Sequence, residues 1–176
     1  MNIADNHFAL FGLPERFALD AKRLDTAFRD VQGQVHPDRF ADAGATEQRV
    51  ALQWATRANE AYRTLRDPLR RAAYLCTLHG ADLETESNTA MPAGFLMRQL
   101  EWREALDDAR DADDAAALQK LEAELDDERS ALMRRLEIAL DETPDIGHSV
   151  EAVRQWMFVE RFEENLASLA EKLDAY

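Results

Sequence analysis

Two amphipathic helix patterns meet at the tripeptide His36-Pro37-Asp38, and this junction limits what the chain can fold into more than any other stretch. Ahead of it, Leu24, Ala27, Phe28, Val31 and Val35 recur at helical spacing. Behind it, Ala51, Trp54, Ala55, Ala58, Ala61, Tyr62 and Leu65 do the same. Two helices with one apolar stripe each, joined by a short connection, pack as an antiparallel hairpin. Proline fixes its own φ and pushes the residue before it out of the α region, so the first helix stops at His36. The tip is then a stiff turn presenting an imidazole and a carboxylate. An ordinary loop accounts for Pro37 as a helix stop and Asp38 as a turn cap. It accounts neither for His36 nor for the hairpin on both sides, so the pattern favours a recognition role for the pair.

The rest of the chain also reads as helix. Only six glycines and five prolines punctuate 176 residues, and no alternating β-branched run is present. A first unit spans residues 1–76. In it a short apolar segment, Phe8, Leu10, Phe11 and Leu13, ends at Pro14 and is predicted to lie across the hairpin, whose helices cover about 20–35 and 45–66. Asp67-Pro68 ends the second of these, and a shorter helix follows over about 68–79, stopping at Gly80. Residues 77–94, polar with Pro92 and Gly94 at the end, read as a linker. Residues 95–176 then carry three long patterns. One covers 95–109, and one is capped by Asp113 or Asp114 with the stripe Leu118, Leu121, Leu125, Leu132, Leu136 and Ala139. The last is capped by Ser149 and has the stripe Phe158, Phe162, Leu166, Leu169 and Leu173. Short loops between long helices predict an antiparallel three-helix bundle, and the fold class is all-α.

Charge separates the two units. The net charge is −14. Residues 1–76 hold 11 Lys/Arg and 10 Asp/Glu, whereas residues 77–176 hold 10 and 25. The second unit repels phosphates, which argues against nucleic acid and fits a protein partner with basic patches. Solubility alone also explains much of this acidity. The single cysteine, Cys76, leaves no internal disulfide and no cysteine-cluster metal site, in keeping with a reducing, cytoplasmic compartment. The start of the chain lacks a basic region ahead of a long apolar run, so no signal peptide is expected, nor any membrane span.

Two surfaces stand out. On the helix before the turn, Lys22, Thr26, Arg29 and Gly33 line up opposite the apolar stripe and lead toward His36, Asp38 and Arg39. Two cations alone are common on any solvated face; beside the tripeptide they suit an acidic partner. On the 95–109 helix, Phe95, Trp102, Leu106 and Ala109 suffice as the stripe facing the bundle. Leu96, Met97 and Leu100 point elsewhere, among Glu101, Glu104 and Asp108. An apolar patch rimmed by acids outside the buried stripe suits a protein contact. Periodicity equally allows these three to cover the first unit or widen the core.

Catalysis finds little support. No nucleophile stands near His36 and Asp38 in the pattern, and no phosphate loop, HExxH motif or calcium loop occurs. His7, His79 and His148 lack ligand-like spacing, so no catalytic residue, metal site or cofactor is expected.

Taken together, the motifs resemble a J-domain. These are Phe8 to Leu13, Phe28-Arg29 with Val31, His36-Pro37-Asp38-Arg39-Phe40, Asn59-Glu60-Ala61-Tyr62 with Leu65, Asp67-Pro68 and Arg70-Arg71-Ala72. The runs Leu10-Phe11-Gly12-Leu13-Pro14 and Phe95-Leu96-Met97-Arg98-Gln99-Leu100-Glu101 narrow this to the HscB family, J-type co-chaperones of iron–sulfur cluster assembly, over nearly the whole chain. The resemblance implies a J-domain joined to a scaffold-binding helical domain. It implies that His36, Pro37 and Asp38, with Lys22, Arg29 and Arg39, engage an HscA-type ATPase chaperone, which is DnaK-like, and stimulate its hydrolysis of ATP. It further implies that an IscU-type scaffold protein binds Leu96, Met97, Leu100, Glu101, Glu104, Asp108 and Phe158. Two other readings stay open: a general chaperone holding unfolded clients, and a small enzyme using His36 and Asp38 as acid and base. The enzyme needs a concave pocket, whereas a hairpin tip is convex.

Overall fold

The computed structural model describes residues 5–83 and 91–173, less the side chains at positions 37, 172 and 173. Among the described residues seven α-helices succeed one another: α1 (His7–Leu10), α2 (Ala21–Val35), α3 (Ala45–Arg66), α4 (Pro68–Leu78), α5 (Ala93–Asp111), α6 (Ala115–Glu137) and α7 (Ile146–Leu173). A 3-10 turn, Pro37–Phe40, joins α2 to α3, and a π turn, Ile138–Glu142, extends α6. The chain divides into two compact units, Met1–Leu78 and His79–Tyr176. Of the linker expected over 77–94, residues 84–90 lie outside the described residues, while Thr77 and Leu78 still belong to α4 and Ala93 and Gly94 already to α5.

In the first unit the stripes predicted from spacing face one another. Leu24, Val31 and Val35 of α2 are buried, as are Ala51, Ala55, Ala58, Ala61 and Leu65 of α3. Four alanines on one face of α3 let the α2 side chains approach its backbone closely. Between the helices the Phe28 and Tyr62 rings stack at 4.2 Å. The Tyr62 hydroxyl donates to Asp25 Oδ1 at 2.9 Å, and Gln32 Nε2 donates to Asn59 Oδ1 at 2.9 Å. These pairings run in opposite chain directions, so the hairpin is antiparallel. The Asp20 carboxylate starts α2 by accepting the Lys22 and Arg23 N–H groups. The segment predicted to cross the hairpin does so as the single turn α1: Phe11 meets Phe28 edge-on, and His7 stacks on Tyr74 of α4 at 4.2 Å. Gly80, at φ +80°, takes the left-handed conformation just past α4.

Arg71 is the least ordinary core residue here. It is buried, its guanidinium lies 5.2 Å from the Phe17 ring centroid, and it donates to the Phe17 carbonyl at 2.8 Å and the Leu65 carbonyl at 2.5 Å. It thus satisfies the C-terminal end of α3 from six residues downstream, across the Asp67-Pro68 break.

The second unit is an antiparallel three-helix bundle. Arg129 pairs with Glu163 at 3.0 Å and Arg135 with Glu151 at 3.1 Å, so α6 and α7 run in opposite directions. Its core holds Phe95, Trp102 and Ala109 of α5, and Leu118, Leu121, Leu125, Leu132 and Leu136 of α6. From α7 come Ala152, Val153, Trp156, Val159, Phe162 and Leu166. The predicted α7 stripe was therefore displaced. Phe158 and Leu169 are only half-buried, the Leu173 side chain lies outside the described residues, and Val153, Trp156 and Val159 do the central packing. Caps differ as well. Asp114 starts α6 by accepting the Ala116 and Ala117 N–H groups at 3.0 Å, as one of the two predicted candidates. Asp145, not Ser149, starts α7: its Oδ1 accepts the His148 N–H at 3.0 Å. Ser149 already lies inside the helix and donates its hydroxyl to the Asp145 carbonyl. The His148 N–H, and the His148 ring, whose Nδ1 lies 2.7 Å from Asp145 Oδ2, hold the Asp145 carboxyl below the usual carboxylate range.

Candidate functional site

The end of α2 fixes the geometry of the His36-Pro37-Asp38 corner. The last carbonyls of any helix lack intrahelical donors. Here the first of them is Gly33, whose carbonyl faces position 37, where proline has no N–H to give. The Arg39 Nη1 donates to the Gly33 carbonyl instead. The Asp38 N–H, one residue on, donates to His36 Nδ1 at 3.3 Å, and the Arg39 N–H donates to the His36 carbonyl at 3.0 Å. Two further donations, from Gln48 Nε2 to the Ala41 and Ala43 carbonyls, tie the rest of the connection to α3.

What this turn presents is open to water. The Asp38 side chain is 89% exposed and the His36 side chain 52%. The His36 Nδ1 lies 3.6 Å from Asp38 Oδ2. A nitrogen that accepts the Asp38 N–H cannot also carry a proton, so the neutral ring bears its hydrogen on Nε2. The corner thus offers one N–H donor and one carboxylate acceptor. Lys22 and Arg29 are exposed on α2, as their spacing predicts. Arg29 Nη2 donates to Thr26 Oγ1 at 3.3 Å, and that hydroxyl donates to the Lys22 carbonyl at 2.9 Å, which links the residues of this face. Arg39 is exposed but directed back onto α2, a role its position in the sequence did not reveal.

The second surface lies on α5. Leu96 is 46% exposed, Met97 59% and Leu100 52%, while Phe95 and Trp102 on the other side are buried. Glu101, Glu104 and Asp108 around them are exposed. Phe158, from α7, joins Phe95, Trp102 and Phe162 in one aromatic cluster, with centroid distances of 5.8, 6.5 and 6.0 Å. The cluster thereby brings Phe158 to the neighbour of Leu96 across 63 residues of sequence. Two cations stand in this surface that the sequence reading passed over. Arg98 pairs with Glu128, and Arg103 lies 5.8 Å from the Phe158 ring centroid. Arg103 was findable, since it follows Leu96 by seven residues and Leu100 by three on the same helix face. The Arg98–Glu128 pair was not, because its members belong to different helices. Among the described residues no cluster of His, Cys, Asp and Glu fits a metal ion.

A helical hairpin with a His-Pro-Asp corner, followed by an antiparallel three-helix bundle, is the architecture of a J-domain co-chaperone with a C-terminal helical domain. Comparison with known proteins narrows the class. The family described as HSCB C-terminal oligomerisation domain matches residues 91–167. The co-chaperone protein HscB homolog of Bordetella petrii is 56% identical over 165 residues, covering 94% of this chain and 96% of that protein. The homolog of Burkholderia mallei is 55% identical over 174 residues, 99% of both. Among solved structures, chaperone HscB from Vibrio cholerae superposes with a TM-score of 0.82 at 33% identity, covering 96% of this chain and 99% of that one. Human co-chaperone protein HscB superposes at 0.87 with 26% identity, covering 95% and 83%. The chain belongs to the HscB co-chaperone family.

Proposed function

We propose that this protein stimulates the ATPase of an HscA-type, DnaK-like chaperone and delivers to it an IscU-type scaffold, assisting the maturation and transfer of iron–sulfur clusters in the cytoplasm. The observation that carries the first half is the 89% exposure of Asp38 on a turn braced from both helices. Its carboxylate accepts hydrogen bonds from a basic group of the ATPase chaperone. His36 donates from Nε2, Pro37 keeps the two apart, and Arg39 belongs to the same corner. Lys22 and Arg29 steer the approach of an acidic surface. The second half rests on three half-exposed apolar side chains rimmed by acids, with Phe158 beside them, which suits a scaffold carrying apolar and basic groups. The first unit is then the J-domain and residues 95–176 the scaffold-binding domain. Holding the scaffold while the corner engages the chaperone raises the local concentration of the client, so each contact can be weak. The protein acts as an adaptor, not an enzyme. This reading is supported by the exposure of both polar groups of the corner.

The test is Asp38→Asn, which keeps the shape of the side chain and removes its charge. Leaving the chaperone's basic group unpaired costs about 2–5 kcal/mol, so stimulation of ATP hydrolysis falls by about 30-fold or more. Binding of the scaffold stays as in the parent. Stimulation by Asp38→Asn equal to that of the parent chain rejects the assignment.

A further inference from the structure

We infer that Arg39 is a positioning residue: its guanidinium takes the place of the N–H that Pro37 lacks, and so sets the tautomer and orientation of His36 and the direction of the Asp38 carboxylate. The inference rests on the functional reading above only for its consequence in ATPase stimulation; the clasp itself is a property of the free protein.

The accounting begins with the carbonyls at the end of α2. Each looks four residues ahead for a donor. For Gly33 that residue is Pro37, which has none, and the Arg39 Nη1 fills the vacancy. For Gln34 it is Asp38, whose N–H turns instead to His36 Nδ1. For Val35 it is Arg39, whose N–H turns to the His36 carbonyl. The helical ladder thus stops in one step, and the two N–H groups it releases build the 3-10 turn. Pro37 forces the step at Gly33, and the guanidinium, reaching back six residues, ties the carbonyl left vacant there to the first turn after the proline.

Position 33 suits the arrangement. A Cβ built there meets nothing within 4 Å, so a side chain at this position neither blocks the clasp nor is needed for it. The same device recurs in the core of this unit. Arg71 donates to the Leu65 carbonyl, again from six residues downstream and again across a proline that ends the helix. There the guanidinium is buried and holds elements together. At Arg39 it is exposed, which fits the fixing of a recognition turn better than the holding of a core. Without the clasp the first turn after Pro37 swings more freely about the end of α2, and the Asp38 N–H exchanges His36 Nδ1 for water. The His36 Nδ1 then loses its donor, and the ring takes either tautomer.

Two readouts on the full chain decide the matter, using the parent, Arg39→Ala and Arg39→Lys. The first needs no partner: nitrogen NMR of the imidazole of His36 at pH 8, with hydrogen exchange of the Asp38 amide. The parent shows hydrogen on Nε2 and a protected Asp38 amide. Arg39→Ala shows a mixture of tautomers and exchanges that amide about threefold to tenfold faster, the range expected for loss of one hydrogen bond. Arg39→Lys, which keeps a cationic donor on a long stem, recovers most of the protection. The second readout is stimulation of an HscA-type ATPase at saturating co-chaperone, which drops in Arg39→Ala by a similar factor. Identical His36 and Asp38 signals in the parent and Arg39→Ala overturn the inference. So does a parent ring with its hydrogen on Nδ1. A parent chain that fails to stimulate the ATPase refutes the functional reading, while the spectra of the free protein still decide the clasp.

Discussion

The α5 surface allows a sharp division between folding and binding. Leu96, Met97 and Leu100 are 46%, 59% and 52% exposed, so about half of each side chain is already withdrawn from water within the bundle. Complete burial of such a side chain contributes about 1.5–3 kcal/mol. The half still exposed is then worth about 0.7–1.5 kcal/mol to a partner that covers it, and the three together about 2–4 kcal/mol. The triple substitution Leu96→Ala, Met97→Ala and Leu100→Ala is expected to weaken scaffold binding by about 30-fold to 1,000-fold, measured by titration calorimetry. Neighbouring residues seldom add ideally, so the three single changes need not sum to the effect of the triple variant. By the same measure the covered halves contribute about 2–4 kcal/mol to the bundle, so the triple variant melts earlier, but Phe95, Trp102 and Ala109, which carry the packing of α5, keep it folded at the assay temperature. A scaffold affinity unchanged in the triple variant, or a bundle that unfolds before binding weakens, refutes the division of this helix into an inner and an outer face.

Two further outcomes follow from buried titratable groups in the first unit. Burial and the nearby Arg57 cation hold the His7 imidazole below its ordinary 6.5, although Glu60 pulls the other way. The unfolded chain therefore binds a proton more readily than the folded one, and stability is lost as pH falls below about 6.5. Thermal unfolding between pH 8 and 5 shows this loss, and His7→Phe, which keeps the stack on Tyr74, diminishes it. An equal pH slope in both chains contradicts the assignment. The Cys76 thiol is fully buried and pushed up to about 11. It is expected to resist alkylation at pH 8 in the folded chain and to react once denaturant is added; rapid labelling of the native protein contradicts this burial.

Much of this molecule was legible from spacing alone. The stripes of α2, α3 and α6 are local patterns, and their buried members are those the 3.6-residue period selects. The outer face of α5 was legible for the same reason, since Leu96, Met97 and Leu100 fall off the line through Phe95 and Trp102. Spacing left open whether other residues cover them; the structure leaves them half-exposed. Failures came where one stripe could be drawn two ways. On α7 an aromatic residue at 158 drew the stripe toward itself, yet Val153, Trp156 and Val159 pack more deeply, and Phe158 sits at the edge where α5 meets it. Ser149 attracted the cap because serine favours that position, but Asp145 comes first after Pro144 and takes the free N–H. The clasps of Arg39 and Arg71 escaped entirely. An arginine side chain is long and flexible, and no periodicity records which carbonyl it finds.

The openness of Asp38 has a consequence beyond recognition. A side chain that supports no packing can be lost without any signal to the machinery that removes misfolded chains. On the proposed reading, such a lesion yields an intact, long-lived protein whose other unit still captures the scaffold but never hands it on. Mixed with healthy copies, it competes for the same client, so the harm grows with the abundance of the defective form rather than with the shortage of the good one.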